Sequence, residues 1–347
     1  MRVAFITVGD TDRLTGGYLY NARVLVALRG MGIEVEEIVP CGASPEEQEA
    51  LQHSLELNSR RFDVIVVDAL ARVVCAPWLD RWREERPVVT MVHELPSVAA
   101  PDAAFARESE EPLLRVDRLV VVSGHGRSIL EGRGVPVERI RVVPPGFDRL
   151  PPGSGATSPA RDGTVRALCV AQWIARKGIL DLVRAWALHE RPGASLELVG
   201  ETDADPAYAA SVRAAIADAP NASIIVSGPV DDAALGAAYL AADLFVLPSR
   251  YEGYGVVYAE ALAHGLPVVA CGVGPVPELV GEEAALLVEP GDVQALSGAL
   301  DLLLQDAALR ERMSAAARRR AERLPRWEDT VSGFLRALKE AVAERSR

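Results

Sequence analysis

The apolar residues of this chain fall into short β-rich runs separated by segments long enough for helices, several of which have helical apolar spacing. The first half of the chain contains four such runs: RVAFITV (2–8), DVIVVD (63–68), PVVTMVH (87–93) and DRLVVVS (117–123). Strands that alternate with helices in this way are typical of a parallel sheet covered on both faces. The pattern therefore predicts an α/β domain.

The same pattern restarts in the second half and predicts a second α/β domain. Between the two halves lies PPGSGATSPARDG (151–163), whose Pro, Gly, Ser and Ala content is typical of a linker. After about residue 290 the pattern is helical to the end of the chain. The runs of the second half are VRALCVA (165–171), SLELVG (195–200), SIIVSG (223–228), DLFVLPS (243–249) and LPVVA (266–270).

The length of 347 residues also favours two domains, because a single core rarely grows that large. We expect a first domain, a linker, a second domain and a terminal helix that packs back on the first domain. Their predicted bounds are 1–150, 151–163, 164–325 and 326–347.

The net charge of −12 argues against nucleic acid as a partner, since proteins that bind phosphate backbones usually carry a basic face. The N-terminus lacks the features of a signal peptide, and no apolar run reaches the roughly 20 residues that span a bilayer. We expect no transmembrane segment and a cytoplasmic location, with peripheral attachment to a membrane left open. Four widely spaced cysteines, which form neither a disulfide framework nor a zinc site, fit a reducing compartment: Cys41, Cys75, Cys169 and Cys271.

The segment DLFVLPSRYEGYGVVYAEALAHG (243–265) predicts a strand, a loop and a helix that begins near Gly255. In an open parallel sheet, ligands bind at the carboxyl ends of the strands, where loops lead into helix N-termini. A helix start carries about half a positive charge on its N–H groups. The N–H groups around Gly253, Tyr254, Gly255 and Val256 therefore predict an anion site.

Two carboxylates, Glu252 and Glu260, flank this predicted anion site. Carboxylates repel phosphate and are better suited to accept hydrogen bonds from sugar hydroxyls, so the combination suggests a nucleotide sugar. The alternative is structural: Glu252 caps the helix and Glu260 faces solvent.

Other polar residues follow predicted strands. Lys177 stands after the strand 165–171, where its point charge suits a phosphate, although Arg-Lys-Gly alone is also an ordinary loop. Gly16 and Gly17 follow the first strand and permit close approach of a ligand. His93 stands at the carboxyl end of a buried strand, where a ligand contact and a polar core residue are both compatible with its position.

We expect neither a metal nor a bound cofactor. The five histidines lack metal-ligand spacing, and the pair Asp203 and Asp205 is explained by N-capping at least as well as by metal binding. The glycine-rich segments SGHGRSILEG (123–132) and CGVGPVPELVG (271–281) lack the spacing of a dinucleotide fingerprint, which argues against a nicotinamide oxidoreductase.

These residues together resemble the family-4 retaining glycosyltransferases. The resemblance covers nearly the whole chain in order, and its most specific part is the E-x7-E segment from Glu252 to Glu260. It implies the GT-B architecture, with two facing Rossmann-like domains, parallel sheets and a C-terminal helix that returns to the first domain. It also implies a nucleotide-diphosphate sugar as donor and no need for a divalent metal.

The resemblance further implies roles for individual residues. Glu260 matches a glutamate that hydrogen-bonds the ribose of the donor. Glu252 matches a glutamate that lies beside the transferred sugar, and Lys177 matches a lysine that neutralises the diphosphate. His93 matches a histidine that contacts the donor sugar. Gly16 with Gly17 matches a glycine loop near the phosphates and the acceptor, and Pro229 with Val230 a turn near the nucleobase.

The chain departs from the family at Gln172. The family commonly has an arginine there, and this chain reads Ala171-Gln172-Trp173. We expect Gln172 to line the diphosphate pocket without adding charge. Arg176 is a poor substitute on this interpretation, because neighbouring helical positions point about 100° apart and Lys177 is adjacent.

The implied activity is transfer of a sugar, with retention of the anomeric configuration, to a hydroxyl of an unidentified saccharide, lipid-linked or small-molecule acceptor. A glycosyl phosphorylase or nucleotide-sugar hydrolase on the same scaffold is an alternative. A non-catalytic sugar-nucleotide binding protein is another, which Gln172 favours.

Overall fold

Two six-stranded parallel sheets organise the residues that the structure describes, one in each of two units. A computed structural model describes residues 1–9, 15–40, 44–55, 57–99, 104–147 and 163–345. One unit comprises Met1–Gly146 with Pro325–Arg347, and the other comprises Phe147–Leu324. The predicted linker, 151–163, lies outside the described residues apart from Gly163.

In the first unit the strand order is β2-β1-β3-β4-β5-β6. The central strands β3 and β4 are buried throughout, which explains why they consist of apolar runs rather than alternating residues. The edge strand β2, EVEEI, is largely exposed. Because most of its residues are charged, the search for apolar runs did not predict it. The strands are β1 Arg2–Ile6, β2 Glu34–Ile38, β3 Val64–Asp68, β4 Val88–Val92, β5 Arg118–Val121 and β6 Ile140–Val142.

Helices connect these strands. The first helix begins after Thr15, whose hydroxyl accepts a hydrogen bond from the N–H of Tyr18, and it turns Tyr20, Asn21, Val24 and Leu28 inward. The helices are α1 Gly16–Gly30, α2 Pro45–Leu51, α3 Arg72–Cys75, α4 Leu79–Glu85, α5 Pro96–Ala99, α6 Ala104–Leu114 and α7 Gly124–Gly132.

The second unit repeats the architecture, with strand order β12-β11-β10-β7-β8-β9. Its strands are β7 Val165–Val170, β8 Ala194–Val199, β9 Ile224–Gly228, β10 Leu244–Leu247, β11 Val268–Cys271 and β12 Ala285–Val288. Its helices are α8 Ile179–Ala187, α9 Pro206–Ala217, α10 Asp232–Ala241, α11 Val256–Ala263, α12 Val276–Val280, α13 Val293–Gln305 and α14 Ala307–Ala321.

The last helix, α15 (Trp327–Arg345), returns to the first unit, as the sequence predicts. It packs against α1 and β5. The guanidinium of Arg118, which is only 1% exposed, binds the carboxylates of Glu340 at 2.9 Å and Glu344 at 2.5 Å. The hydroxyl of Thr330 donates to the carbonyl of Pro144 at 2.8 Å. Ion pairs to a buried arginine and a hydrogen bond to the backbone therefore fix this helix in place.

The strand order reverses once in each sheet. In the first unit the chain runs from β1 to β2 on one side and then to β3 on the other; in the second it runs from β7 through β8 to β9 and then returns to β10 beside β7. The connections that follow the adjacent strands β1 and β3, or β7 and β10, therefore lead to strands on opposite sides of the pair, and they start side by side at the carboxyl ends of the strands. Such reversal points are the usual ligand sites of open α/β sheets.

The return of α15 generates a prediction at Gly146. A Cβ at this position would lie 2.3 Å from the backbone N of Trp327, so Gly146→Ala forces two backbone segments apart. We expect the free energy of unfolding to fall by about 1–3 kcal/mol in urea titrations. Gly30→Ala is the matched control: it lies in α1 with open space around it, and its stability should stay constant or rise by up to about 1 kcal/mol. Equal stability of the two variants would contradict this packing.

Candidate functional site

A buried carboxylate marks the reversal point of the second sheet. Glu252, in the loop after β10, is 4% exposed. Its Oε1 lies 2.7 Å from Nζ of Lys177 and accepts a hydrogen bond from the hydroxyl of Ser249 at 2.7 Å. Its Oε2 lies 3.8 Å from Nη1 of Arg176. Residues that follow β7 and β10 therefore meet in one charged cluster, which we call the Glu252 cluster.

The electrostatics of this cluster keep Glu252 ionised. Burial by itself raises the pKa of a carboxyl, but the positive charges of Lys177 and Arg176 and the hydrogen bonds from Lys177 and Ser249 outweigh it, and the pKa of Glu252 lies below its ordinary value. The N-cap of α11 is Gly255, without a side-chain cap. The alternative in which Glu252 caps the helix is therefore excluded.

Arg176 and Lys177 converge on Glu252, and the expectation that they diverge was wrong. The expectation assumed that both residues lie on an α-helix. Instead, Ala175–Lys177 form a single 3-10 turn before α8, and both cations reach the same carboxylate. The guanidinium of Arg176 also donates to the carbonyl of Tyr251 at 3.3 Å.

Close backbone approach fixes the two loops of the cluster. Gly178 has φ +68°, and a Cβ there would lie 2.2 Å from the carbonyl oxygen of Pro248. The N–H of Arg250 donates to the carbonyl of Arg176 at 2.8 Å. Only glycine fits both the left-handed conformation and the contact, so Gly178 lets the loop after β7 touch the loop after β10.

The predicted helix start is present beside this cluster. Gly255 adopts φ +95° and is buried, and α11 begins at Val256. Gly253, Tyr254 and Val256 are partly buried. The first turn of a helix leaves N–H groups without intrahelical partners, so this point has the local geometry of an anion site.

Glu260 lies on the second turn of α11 and is half-buried, so it does not simply face solvent. Its Oε2 accepts a hydrogen bond from the hydroxyl of Tyr239 at 2.9 Å. The ring of Tyr239 in turn stacks on His264 with 4.8 Å between centroids. Burial and the neighbouring charge of Glu260 raise the pKa of Tyr239, so the phenol remains a donor and orients the carboxylate.

Gln172, Pro229 and Val230, which were predicted to bind the sugar donor, lie in the second unit but outside the Glu252 cluster. The amide of Gln172 donates to Oε2 of Glu201 at 2.5 Å, which places a second carboxylate next to the loop after β7. Pro229 is exposed and Val230 partly buried in the turn after β9, the edge strand that β8 separates from β7.

In the first unit, Gly17 and His93 come together at the carboxyl ends of the strands, while Gly16 is exposed. A Cβ at Gly17 would lie 3.2 Å from Cδ2 of His93, so the glycine makes room for the imidazole. Nε2 of His93 lies 2.9 Å from Oδ1 of Asn21. Burial lowers the pKa of His93, against the opposing charges of Asp68 and Glu94, which favours the neutral imidazole at neutral pH.

Comparison with known proteins bears on the identity of this arrangement. Residues 41–149 match the sequence model described as Glycosyltransferase Family 4, and residues 156–320 match the one described as Glycosyl transferases group 1. The D-inositol 3-phosphate glycosyltransferase of Kineococcus radiotolerans is 32% identical over 307 residues, which cover 78% of this chain and 69% of that protein. The chain belongs to the family-4 glycosyltransferases.

The chain spans 65% and 66% of the length of two other curated relatives that it matches. Among solved structures, sucrose-phosphate synthase from Thermosynechococcus elongatus has a TM-score of 0.83 at 24% identity and covers 99% of both chains. Anabaena HepE in complex with UDP-glucose has a TM-score of 0.76 at 20% identity and covers 98% of this chain and 100% of that one. These likenesses confirm the GT-B fold of this family-4 glycosyltransferase, with two Rossmann-like units.

Several residues of the site were missed from the sequence. Asp68 ends β3 as His93 follows β4, so the strand-end rule that singled out His93 would also have found Asp68. Asn21 is a polar residue on the apolar face of α1, which is a detectable signal. Lys177, which the sequence analysis did single out, carries a further signal: the chain has 35 arginines and only 2 lysines among its 37 basic residues.

Two absences concern only the part of the chain that the structure describes. No group of three or more His, Cys, Asp or Glu side chains there is arranged to hold a metal ion. Asp205 is the N-cap of α9 and accepts from the N–H of Tyr208, which accounts for one of the two aspartates considered as metal ligands. No helix among these residues has both the length and the apolar character to cross a membrane.

The Glu252 cluster predicts a pH-dependent contribution to stability. The folded-state pKa of Glu252 is depressed, so its stabilising effect is present above the ordinary glutamate pKa of about 4.3 and is lost as the pH falls through and below it. At pH 7, Glu252→Gln should therefore lower the free energy of unfolding by about 1.5–3 kcal/mol.

Urea titrations between pH 7 and pH 3 measure this effect. The difference in the free energy of unfolding between the parent chain and Glu252→Gln should become smaller as the pH falls. Glu282→Gln, at an exposed position, is the matched control and should change stability little. If this difference stayed constant from pH 7 to pH 3, the carboxylate of Glu252 would not be stabilised by its cations.

Proposed function

We propose that this protein is a retaining glycosyltransferase that moves a sugar from a nucleotide-diphosphate sugar to an acceptor hydroxyl without a divalent metal. The observation that carries the proposal is the Glu252 cluster. Two cations and a buried carboxylate meet at the reversal point of a parallel sheet, next to the N-terminus of α11. A cationic pair and a helix start suit a diphosphate, and the carboxylate suits a sugar hydroxyl.

Departure of the diphosphate builds negative charge on its outer phosphate. Lys177, Arg176 and the first-turn N–H groups of α11 stabilise that charge, which is the work that a metal ion does in other transferases. Because Glu252 holds both cations in place before any ligand binds, little reorganisation is needed during the reaction. Removing one such preorganised contact typically costs about 3–4 kcal/mol in activation free energy.

Retention of configuration follows from attack on the face that the leaving group vacates. The acceptor hydroxyl approaches the anomeric carbon as the bond to the diphosphate breaks on the same side. The oxygen–carbon bond of the product replaces the bond to the phosphate oxygen, and the hydroxyl proton passes to the departing phosphate. The chain contributes mainly electrostatic stabilisation to this step.

The remaining residues bind the donor. Glu260, oriented by the hydroxyl of Tyr239, accepts hydrogen bonds from the ribose. Glu252 accepts hydrogen bonds from the hydroxyls of the transferred sugar. Gln172 lies on the diphosphate side, with its amide held by Glu201. Gly253, Tyr254, Gly255 and Val256 supply the backbone of the anion site, and Pro229 with Val230 borders the nucleobase.

Residues of the first unit act on the sugar and the acceptor. His93 contacts a sugar hydroxyl, and Gly16 with Gly17 allows the phosphates and the acceptor to approach the backbone of α1. Anabaena HepE has been crystallised with UDP-glucose, so UDP-sugars are the first donors to examine. The acceptor supplies the attacking hydroxyl group.

A transfer assay tests the proposal. Thermal shift with UDP-, GDP- and ADP-sugars identifies the donor, because a ligand of the native state raises stability. Transfer to a hydroxyl acceptor is then followed in EDTA, and the anomeric configuration of the product is read by NMR. We expect transfer in EDTA with retention. Loss of transfer in EDTA that manganese or magnesium restores would contradict metal independence, and turnover only with water or inorganic phosphate would favour the hydrolase or phosphorylase alternative.

Substitutions at Lys177 and Glu260 should separate turnover from donor binding. Lys177→Ala should lower kcat by about 10²–10³ at saturating donor, because a leaving-group contact is lost. Glu260→Ala should weaken donor binding by about 1.5–3 kcal/mol, because a hydroxyl loses its charged acceptor. Calorimetric titration with the nucleoside diphosphate and steady-state kinetics measure the two effects.

The chain offers matched controls for this pair. Lys339→Ala removes the other lysine, at an exposed position, and should leave both parameters unchanged. Lys177→Arg keeps the charge but replaces a compact ammonium by a planar fork, and we expect it to restore only part of kcat. A kcat for Lys177→Ala equal to that of the parent chain would remove Lys177 from the leaving-group site.

A further inference from the structure

A chain of hydrogen bonds in the first unit connects a buried aspartate to His93. Nδ2 of Asn21 lies 2.6 Å from Oδ2 of Asp68, and Oδ1 of Asn21 lies 2.9 Å from Nε2 of His93. Asp68 also accepts from the hydroxyl of Thr7 at 3.2 Å and from the N–H of Leu70 at 2.9 Å. We call Asp68, Asn21 and His93 the histidine relay.

The relay determines which imidazole nitrogen carries the proton. The carboxylate of Asp68 can only accept, so the amide nitrogen of Asn21 faces it and the amide oxygen faces His93. An amide oxygen is also only an acceptor, so Nε2 of His93 must be the donor. A neutral imidazole with its proton on Nε2 presents an unprotonated Nδ1.

The relay is well buried and its orientation is constrained. Asp68 is 1% exposed and Asn21 is 6% exposed, so a reversed amide would turn its oxygen toward the carboxylate of Asp68 and leave two buried acceptors facing each other. The imidazole is held from two sides: Tyr20 contacts it edge-on with 5.1 Å between ring centroids, and Gly17 lies against Cδ2. The position and the tautomer of His93 are thus fixed together.

Within the described residues, Nδ1 of His93 has no hydrogen-bond partner of its own. The ring is half-buried and lies at the carboxyl ends of the strands, where His93 follows β4 and meets Asn21 of α1, the helix after β1. The charged groups that act on the ring are Asp68 and Glu94, and burial outweighs both of them, so the pKa of His93 is lowered and the ring is neutral at neutral pH. Nδ1 is therefore a lone-pair acceptor at a ligand-binding edge.

We propose that Asn21, oriented by Asp68, is a positioning residue that fixes His93 as the Nε2–H tautomer, so that Nδ1 accepts a hydrogen bond from a substrate hydroxyl. The inference rests on the proposed glycosyl transfer for the identity of the ligand, which is a sugar hydroxyl of the donor or the acceptor. The assigned tautomer itself rests only on the hydrogen-bond geometry.

Nitrogen NMR of the whole protein, labelled with 15N-histidine, tests the tautomer without any turnover. Long-range proton–nitrogen spectra distinguish protonated from unprotonated ring nitrogens, and His93→Gln assigns the signal among the five histidines. We expect a protonated Nε2 and an unprotonated Nδ1 at pH 7. A protonated Nδ1, in either the other tautomer or the imidazolium ion, would overturn the proposal.

Two variants disturb the relay in different ways. Asn21→Leu removes the amide at similar size, and Asp68→Asn keeps the shape but lets residue 68 both donate and accept. Both should give a mixture of tautomers, and the second variant remains informative if the first does not fold. Thr7→Val is the matched control: it removes one donor to Asp68 without touching Asn21 or His93, and the tautomer should not change.

Kinetics then test the link to substrate. We expect both relay variants to lower kcat in proportion to the fraction of His93 in the wrong tautomer, roughly twofold for an even mixture, since that tautomer presents a donor where an acceptor is needed. The Kd of the nucleoside diphosphate should stay constant, because neither Asn21 nor Asp68 is among its proposed contacts. A mixed tautomer with unchanged kcat would refute the positioning role. If no nucleotide sugar were turned over, the proposed function would fail, while the parent spectrum would still confirm or refute the tautomer.

Discussion

The burial of Glu252 is the constraint on which the site of the second unit depends. A carboxylate that is 4% exposed is stable as an anion only beside compensating charge, and Lys177 and Arg176 provide it. The acid follows β10 and the cations follow β7, and these strands are neighbours only because the sheet reverses its order there. The cluster therefore forms only when β10 pairs with β7, and its geometry is a direct product of the topology.

The same carboxylate limits how strongly the site attracts an anion. Lys177 and Arg176 contribute two positive charges and Glu252 removes one, so the cluster carries a net charge of +1 in a chain whose net charge is −12. The long-range electrostatic interaction between the negatively charged chain and the diphosphate of the proposed donor is thus repulsive, and the proposed binding depends on groups within a few ångströms. The ion pairs with Glu252 do, however, hold Lys177 and Arg176 in position. A ligand therefore does not have to order these side chains when it binds.

Much of the fold could be predicted from the sequence, and the reasons for the failures are physical. Strands such as Val64–Asp68, buried on both faces, were visible as apolar runs, whereas the exposed edge strand Glu34–Ile38 contains three glutamates and was missed. The position of α11 followed from Gly255. The convergence of Arg176 and Lys177 did not follow, because a 3-10 turn and an α-helix place neighbouring side chains differently, and the sequence pattern does not distinguish them. Tyr239 and Glu201 were missed because their partners, Glu260 and Gln172, are distant in sequence.

Both units bury a carboxylate at the carboxyl edge of the sheet, but they stabilise it by different means. Asp68 accepts from neutral donors, namely the hydroxyl of Thr7, the amide of Asn21 and the N–H of Leu70. Glu252 instead binds two cations. Neutral donors leave no excess positive charge, so the edge of the first unit, with an uncharged imidazole, suits uncharged hydroxyl groups. The cations of the second unit suit a phosphate. The two sheet edges therefore suit different ligands because neutral hydrogen-bond donors surround Asp68, whereas cations surround Glu252.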